Sequence, residues 1–257
     1  NHKYKEALEF CKLPLKNESF ISMDIKLELL LNKAEILMLL KEYDSSLDEI
    51  ESIEEFNEEL SEEYLFTLNM LKGQCYRENR YYRDALEVYK SLKEGAGSLD
   101  KSKILCININ IIGIYILLRD NRNIRKHIDE SLVLISSNRQ LYKEKHGAEI
   151  FSGLAKGFKF ISEDERAAEY YNHAIYSAKR NKQYEILTDA LENLFEIFEK
   201  KKALHEVDNI KNELLELIST NAINNDNTLI FKVIGFYNAM DDKESIEGIV
   251  SFILNHQ

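Results

Sequence analysis

Proline occurs once in 257 residues, tryptophan is absent, and glycine occurs only nine times. Pro14 alone lacks the N–H that a helix interior needs, so helices can run through nearly the whole chain. Turn-dense all-β, collagen-like and linker-rich architectures are excluded. The three cysteines, Cys11, Cys75 and Cys106, form no CxxC pair and are odd in number. They read as neither a disulfide framework nor a zinc site, and a reducing, cytoplasmic compartment is the expectation. No apolar run approaches the ~18 residues that a membrane-spanning helix requires. The most apolar stretch, Ile104 to Leu118, is broken by Asn108, Asn110 and Gly113. Positive charge is also short. There are 34 Lys+Arg against 45 Asp+Glu, for a net charge of −11. A chain this acidic is a poor partner for phosphate backbones, so no direct nucleic-acid binding is expected. No signal peptide is visible. The sequence opens on Asn1 rather than Met, which leaves open an N-terminal domain ahead of it.

What the chain does contain is a repeat. The clearest unit is Leu71-Lys72-Gly73-Gln74-Cys75-Tyr76, then Tyr82, then Asp84-Ala85-Leu86-Glu87-Val88-Tyr89. Gly73 and Tyr76 share one helix face, Ala85 and Tyr89 another, because residues three or four apart lie one above the other. The pattern reads as two antiparallel helices, with small residues at the close approach and aromatics beside them. A second strong copy is Ala155, Phe158, Ala167, Tyr171 and Ala174. Weaker copies are Ala34, Leu37, Ser46, Ile50; Ile112, Tyr115, Ile124, Ile128; Phe195, Phe198, Val207; and Ile234, Tyr237, Ile246, Val250. Tyr4, Ala7 and Cys11 match a second helix only. The small or apolar residue of each second helix falls at 7, 46, 85, 124, 167, 207 and 246, at spacings of 39, 39, 39, 43, 40 and 39.

This register predicts helices over 3–12, 20–41, 44–56, 61–79, 82–94, 101–119, 122–136, 143–161, 164–180, 183–200, 203–219, 227–240 and 242–255. Gly95 to Ser98, Ser136 to Asn138 and the polar run Ser219 to Thr228 punctuate them. None is long enough for a domain linker, so one repeat domain over 1–257 is expected.

The residues Gly73, Tyr76, Ala85, Tyr89 and Ala155, Phe158, Ala167, Tyr171, Ala174 resemble the tetratricopeptide repeat. The period exceeds that family's usual ~34 residues, and its Trp and repeat-end Pro are missing. The resemblance implies an all-α, right-handed solenoid of about six hairpins plus a partial one. It also implies a concave face for peptides or extended protein segments.

Catalytic signals are absent. The histidines, His2, His127, His146, His173, His205 and His256, include no pair at i, i+3 or i+4 that would aim at one metal. There is no phosphate loop, GxSxG elbow or HExxH. Cys75 and Cys106 fall at apolar helix positions with nothing basic placed to activate them, so they read as buried thiols. The acidic run Asp48 to Glu63 flanks a turn and reads as a solvated face. Tyr76, Tyr89, Tyr115, Tyr171 and Tyr237 read as packing residues whose hydroxyls reach partners. Neither an enzyme nor a cofactor is expected.

In such solenoids the first helix of each hairpin lines the inner surface. The resemblance places Asn32, Glu35, Gln74, Arg77, Asn110, Lys156, Lys159, Glu192, Asn193, Glu196 and Asn238 there, with Met38, Met70, Ile109, Ile116, Phe160 and Phe231 as apolar neighbours. Asn32, Asn110 and Asn193 occupy one repeat position. An Asn carries a donor and an acceptor on one short arm, so it can hold both groups of a ligand's peptide bond. The alternative is that Asn is simply common in this Ile-, Lys- and Asn-rich chain. The candidate peptide-binding set is Asn32, Gln74, Arg77, Asn110, Lys156, Lys159, Asn193 and Asn238.

Three functions fit. Degenerate repeats and Ile/Lys/Asn-rich composition look like the C-terminal sensor of RRNPP-type peptide-pheromone receptors of Gram-positive bacteria. These join a helix-turn-helix to such repeats and serve quorum sensing and transcription regulation. No helix-turn-helix is visible. The alternatives are a general interaction scaffold or co-chaperone, and a regulator of a phosphorelay enzyme. A scaffold that docks carboxylates would need a cationic clamp in adjacent copies, and Arg77, Lys156 and Lys159 are not adjacent. The apolar residues of the last hairpin, Ile246, Ile249, Val250 and Ile253, either cap the preceding repeat or form a homodimer contact.

Overall fold

The computed structural model describes residues 2–15, 21–56, 60–95, 100–138, 140–220 and 228–255. Among these are thirteen α-helices and no strand. They are α1 (His2–Leu15), α2 (Met23–Leu39), α3 (Tyr43–Glu54), α4 (Glu62–Glu78), α5 (Tyr82–Glu94), α6 (Lys101–Leu117), α7 (Asn121–Ser136), α8 (Gly147–Phe160), α9 (Asp164–Asn181), α10 (Tyr184–Lys201), α11 (Leu204–Ser219), α12 (Thr228–Ala239) and α13 (Lys243–Asn255). Every expected helix is present. The punctuating residues Ala96 to Ser98 and Asn221 to Asn227 lie outside the described residues, as do Asn57 to Glu59 of the acidic run, the His2 side chain and His256.

The hairpin turns carry the register independently of the apolar pattern. Lys41, Arg80, Arg119, Ser162, Lys202 and Asp241 each adopt a left-handed conformation, with φ between 51 and 66°, at spacings of 39, 39, 43, 40 and 39 residues. Each closes its first helix in the same way: the N–H of the next residue reaches back five positions, as in Glu42 to Leu37, Tyr81 to Tyr76, Asp120 to Tyr115, Glu163 to Phe158, Ala203 to Phe198 and Asp242 to Tyr237, at 2.8–3.0 Å. This is the Schellman closure, in which otherwise orphaned carbonyls are satisfied. Four of these six hairpin residues, and Lys182 in the turn after α9, are Lys or Arg, cations placed at the negative end of the helix dipole.

The chain falls into two compact units, Asn1–Ile114 and Tyr115–Gln257, with the boundary inside α6. In the first unit α1 packs on α2, α2 pairs with α3, and α4 with α5. Gly73, Ala85 and Tyr89 meet at the α4–α5 crossing, and Ala85 and Tyr89 have no exposed surface. In the α2–α3 hairpin the place of Ala85 is taken by Ser46. Its hydroxyl donates to the Ala34 carbonyl at 2.7 Å and lies 3.2 Å from Cys75 Sγ, which leaves no buried group wanting. Burial pushes the Cys75 thiol above its ordinary range, away from nucleophile character. Around it pack Leu27, Leu30, Ile50, Ile53, Leu68 and Leu71.

In the second unit α8 pairs with α9, α9 packs on α10, α10 on α11, and α12 on α13, α10 and α11. Ala155, Phe158, Ala167, Tyr171 and Ala174 are all fully buried. Burying each large side chain is worth about 1.5–3 kcal/mol. The one long spacing, 43 residues, has a local cause. Before α8 the chain makes a 3-10 turn at Leu141–Lys143. Side chains of α9 and the turn after it hold the backbone there: Ser177 donates to the Tyr142 carbonyl at 3.2 Å, Asn181 to Glu144 at 3.2 Å and Gln183 to Lys145 at 3.0 Å. Gly147 opens α8 so close to the Leu141 carbonyl that a Cβ would collide with it. The helix expected from 143 therefore starts at 147. In the last hairpin Ile249 is 2% exposed and packs beside Leu214, Ile230 and Val233, whereas Val250 stays 43% exposed.

Candidate functional site

The first helices of the hairpins carry the candidate residues, and the structure joins some of them in pairs. In the first unit, Arg77 of α4 donates through Nη1 to Asn110 Oδ1 on α6 at 3.1 Å. The Tyr89 hydroxyl donates to the same oxygen at 3.3 Å. Asn110 Nδ2 donates to the Cys106 carbonyl one turn earlier at 2.9 Å. Asn110 is half-buried. A carboxamide has two lone pairs and two N–H groups, so what remains for a ligand is one N–H.

The second unit repeats the arrangement two repeats further along the sequence. Lys159 of α8 donates to Asn193 Oδ1 on α10 at 2.9 Å, and Asn193 Nδ2 donates to the Asp189 carbonyl at 2.8 Å. In both units a cation on one first helix fills the carbonyl of an asparagine 33 or 34 residues on. Here the node extends into a ladder. Lys156 pairs with Asp189 at 2.9 Å, Lys159 with Glu196 at 2.6 Å, and Lys232 of α12 bridges Glu192 and Glu196. The hydrogen bond from Lys159 is the largest influence on the Glu196 carboxyl, which sits below the ordinary carboxylate range. Asn193 retains one lone pair.

Of the eight candidates, the structure thus brings together Arg77 with Asn110 and Lys159 with Asn193, with Lys156 on the same helix as Lys159. Asn32 on α2 and Asn238 on α12 are exposed and Gln74 on α4 is half-buried. None of these three joins another candidate among the described residues. Two contributors escaped the sequence reading, Asp189 and Lys232; the Tyr89 hydroxyl was expected to reach a partner, and that partner is Asn110. Lys232 stands two residues before Ile234, as Asn32, Asn110 and Asn193 stand two before Ala34, Ile112 and Phe195, and Asp189 lies one helical turn before Asn193, so the register could have found both. Tyr171, the counterpart of Tyr89 in the second unit, is fully buried, yet its hydroxyl has no hydrogen-bond partner among the described residues. That departs from the expectation of a partnered hydroxyl. Its pKa is raised by burial, and also by Asp189 and Glu196.

Among the described residues no group of three or more His, Cys, Asp or Glu is placed to hold a metal ion. No described helix is long and apolar enough to cross a membrane. Glu49, Glu54 and Glu63 of the acidic run pair with Lys33, Lys72 and Lys103.

No protein-family model matches the chain, and no curated protein sequence matches it. Solved structures do. BtubC (BKLC) from P. vanneervenii superposes with a TM-score of 0.60 at 15% identity, over 92% of this chain and 91% of that one. A signal-transduction ATPase with numerous domains and a tetratricopeptide repeat sensor, from Pyrococcus horikoshii, gives 0.67 at 18% identity, over 97% of this chain but only 38% of that one. A Rap protein complexed with Competence and Sporulation Factor gives 0.58 at 12% identity, over 99% and 84%. The fold is all-α and of the tetratricopeptide-like helical repeat class.

Proposed function

We propose that the chain is a non-catalytic repeat domain that binds a peptide or extended protein segment along the first helices of its hairpins, and that it forms one continuous domain. The observation that carries this reading is the repeated cation–asparagine node, Arg77–Asn110 and Lys159–Asn193, on half-buried positions of those helices. Polar groups that are already oriented lose little entropy when a ligand arrives. The ladder can also exchange an internal carboxylate for one from a ligand. The Asn110 N–H, the Asn193 lone pair and the exposed Asn32 and Asn238 supply single hydrogen bonds, with Lys156 and Lys159 meeting a ligand carboxylate. Gln74 and Arg77 line a first helix of the first unit. The solved complex of a Rap protein with Competence and Sporulation Factor supports the peptide reading, and the repeat sensor of the Pyrococcus horikoshii ATPase supports a sensory role. The finer assignment is the peptide-sensing part of a cytoplasmic bacterial transcription regulator.

Panning a displayed peptide library on the chain tests the reading. Enriched peptides should bind in the micromolar range or tighter and lose binding to Lys159→Glu. Enrichment of nothing, or of peptides indifferent to Lys159→Glu, contradicts it.

A further inference from the structure

The second helices of the second unit carry a feature that peptide binding along the first helices does not use. Helices α9 and α11 both pack on α10 but hardly on each other. Between them lies a hollow of about 210 Å³ floored by Leu191, Leu194, Phe198 and Ile210. Leu191, Leu194 and Ile210 are at most 3% exposed, so the floor is continuous with the core. The rim is polar, with Asn172 from α9 and Glu206, Asn209 and Glu213 from α11. Lys179 of α9 holds Glu213 at 2.6 Å. Glu206, Asn172 and Asn209 have no side-chain partner among the described residues.

We propose that this hollow takes the side chain of an arginine presented by a partner protein. Three arguments select that occupant. Its volume falls below the ~300 Å³ at which pockets for drug-sized ligands begin, and suits one long side chain. The apolar floor and polar rim match a side chain that buries its methylene stem and keeps its charged head at the edge. A guanidinium offers five N–H donors in a planar fork, enough for the Glu206 carboxylate and the carboxamide oxygens of Asn172 and Asn209 together. An ammonium is a more strongly hydrated point charge. The net charge of −11 favours encounter with a basic partner surface.

The test uses the full chain with isotope-labelled Leu and Ile methyl groups, titrated by N-acetyl-arginine amide and by its neutral isostere N-acetyl-citrulline amide. The arginine derivative should shift the Leu191, Leu194 and Ile210 methyls saturably in the millimolar range, and the citrulline derivative should bind at least tenfold more weakly. Glu206→Gln should weaken binding of the arginine derivative about tenfold, one charge-assisted contact. Asn172→Asp, which adds a carboxylate to the rim without removing any packing, should strengthen it. Absence of a saturable shift, equal binding of arginine and citrulline derivatives, or indifference to both substitutions overturns the proposal.

Discussion

The ring of Tyr89 lies directly over Gly73: a Cβ on Gly73 would stand 2.5 Å from Tyr89 Cζ and 2.7 Å from Cε1. Glycine is kept inside α4, where it costs roughly 0.5–1 kcal/mol of helix propensity relative to alanine, because the partner helix needs the space. Gly73→Ala should therefore destabilise by about 1–3 kcal/mol through overpacking. In a Tyr89→Ala background the same change should be neutral or stabilising. Denaturant unfolding of the four proteins in this cycle checks the inversion of sign, and equal costs in both backgrounds would remove the contact from the account.

The left-handed hairpin residues make a second expectation. Arg80→Gly and Arg119→Gly relieve a left-handed backbone that costs roughly 1–2 kcal/mol in a residue with a Cβ. The extra freedom of glycine in the unfolded chain takes back ~0.4–1 kcal/mol. Losing the cation at the helix C-terminus takes back roughly 0.3–1 kcal/mol more, so each glycine variant should stay within about 0.5 kcal/mol of the parent, while Arg119→Val should destabilise. Thermal unfolding distinguishes these outcomes.

Acid should open the ladder of the second unit. Lys159 holds the Glu196 carboxyl below the ordinary carboxylate range. A depressed folded-state pKa contributes stability that is present above the unfolded value, ~4.3 for Glu, and is lost as pH falls through the folded value. In Lys159→Met the Glu196 midpoint, followed by NMR of the side-chain carboxyl, should move upward, and that share of the acid sensitivity should vanish. An unchanged midpoint would mean that the pair is not formed in solution. The effect should shrink with added salt, because both side chains reach solvent.

The helices were legible in the sequence because the chain holds a single proline, Pro14 in the last turn of α1, and because small residues such as Ala85 and Ala167 recur at near-constant spacing. Helix α5 begins and ends where the pattern places it, at Tyr82 and Glu94. The start of α8 was not legible, since it depends on Gly147 meeting the backbone of Leu141, a contact between residues with no periodic signature. The register placed the turns, but their left-handed closure carried no residue signal: the closing residues are mainly Lys and Arg rather than the Gly or Asn that usually marks a helix end. The candidate face was legible by offset, but not its internal partners. Asn110 and Asn193 could be aligned from spacing alone, whereas the cations that fill their carbonyls come from the preceding hairpin and appear only once the hairpins stack. The hollow between α9 and α11 has no signal in the sequence, because it arises from two helices that share a neighbour without meeting.

The central claim is that the first-helix asparagines serve a ligand as well as the fold. Asn110→Ala leaves Arg77 without its Asn110 acceptor and the Tyr89 hydroxyl with only the Met70 carbonyl at 3.5 Å, so a stability loss of about 1–3 kcal/mol is expected whichever role is right. Affinity separates the two. The decisive measurement is calorimetric titration of a library-selected peptide into the parent, Asn110→Ala and Asn193→Ala, each confirmed folded at the working temperature. Loss of a hydrogen bond to a buried ligand group, at ~1–3 kcal/mol, should weaken binding by roughly ten- to hundredfold in both variants. Unchanged affinity in both, with stability lowered, would show that these asparagines only tie neighbouring hairpins together.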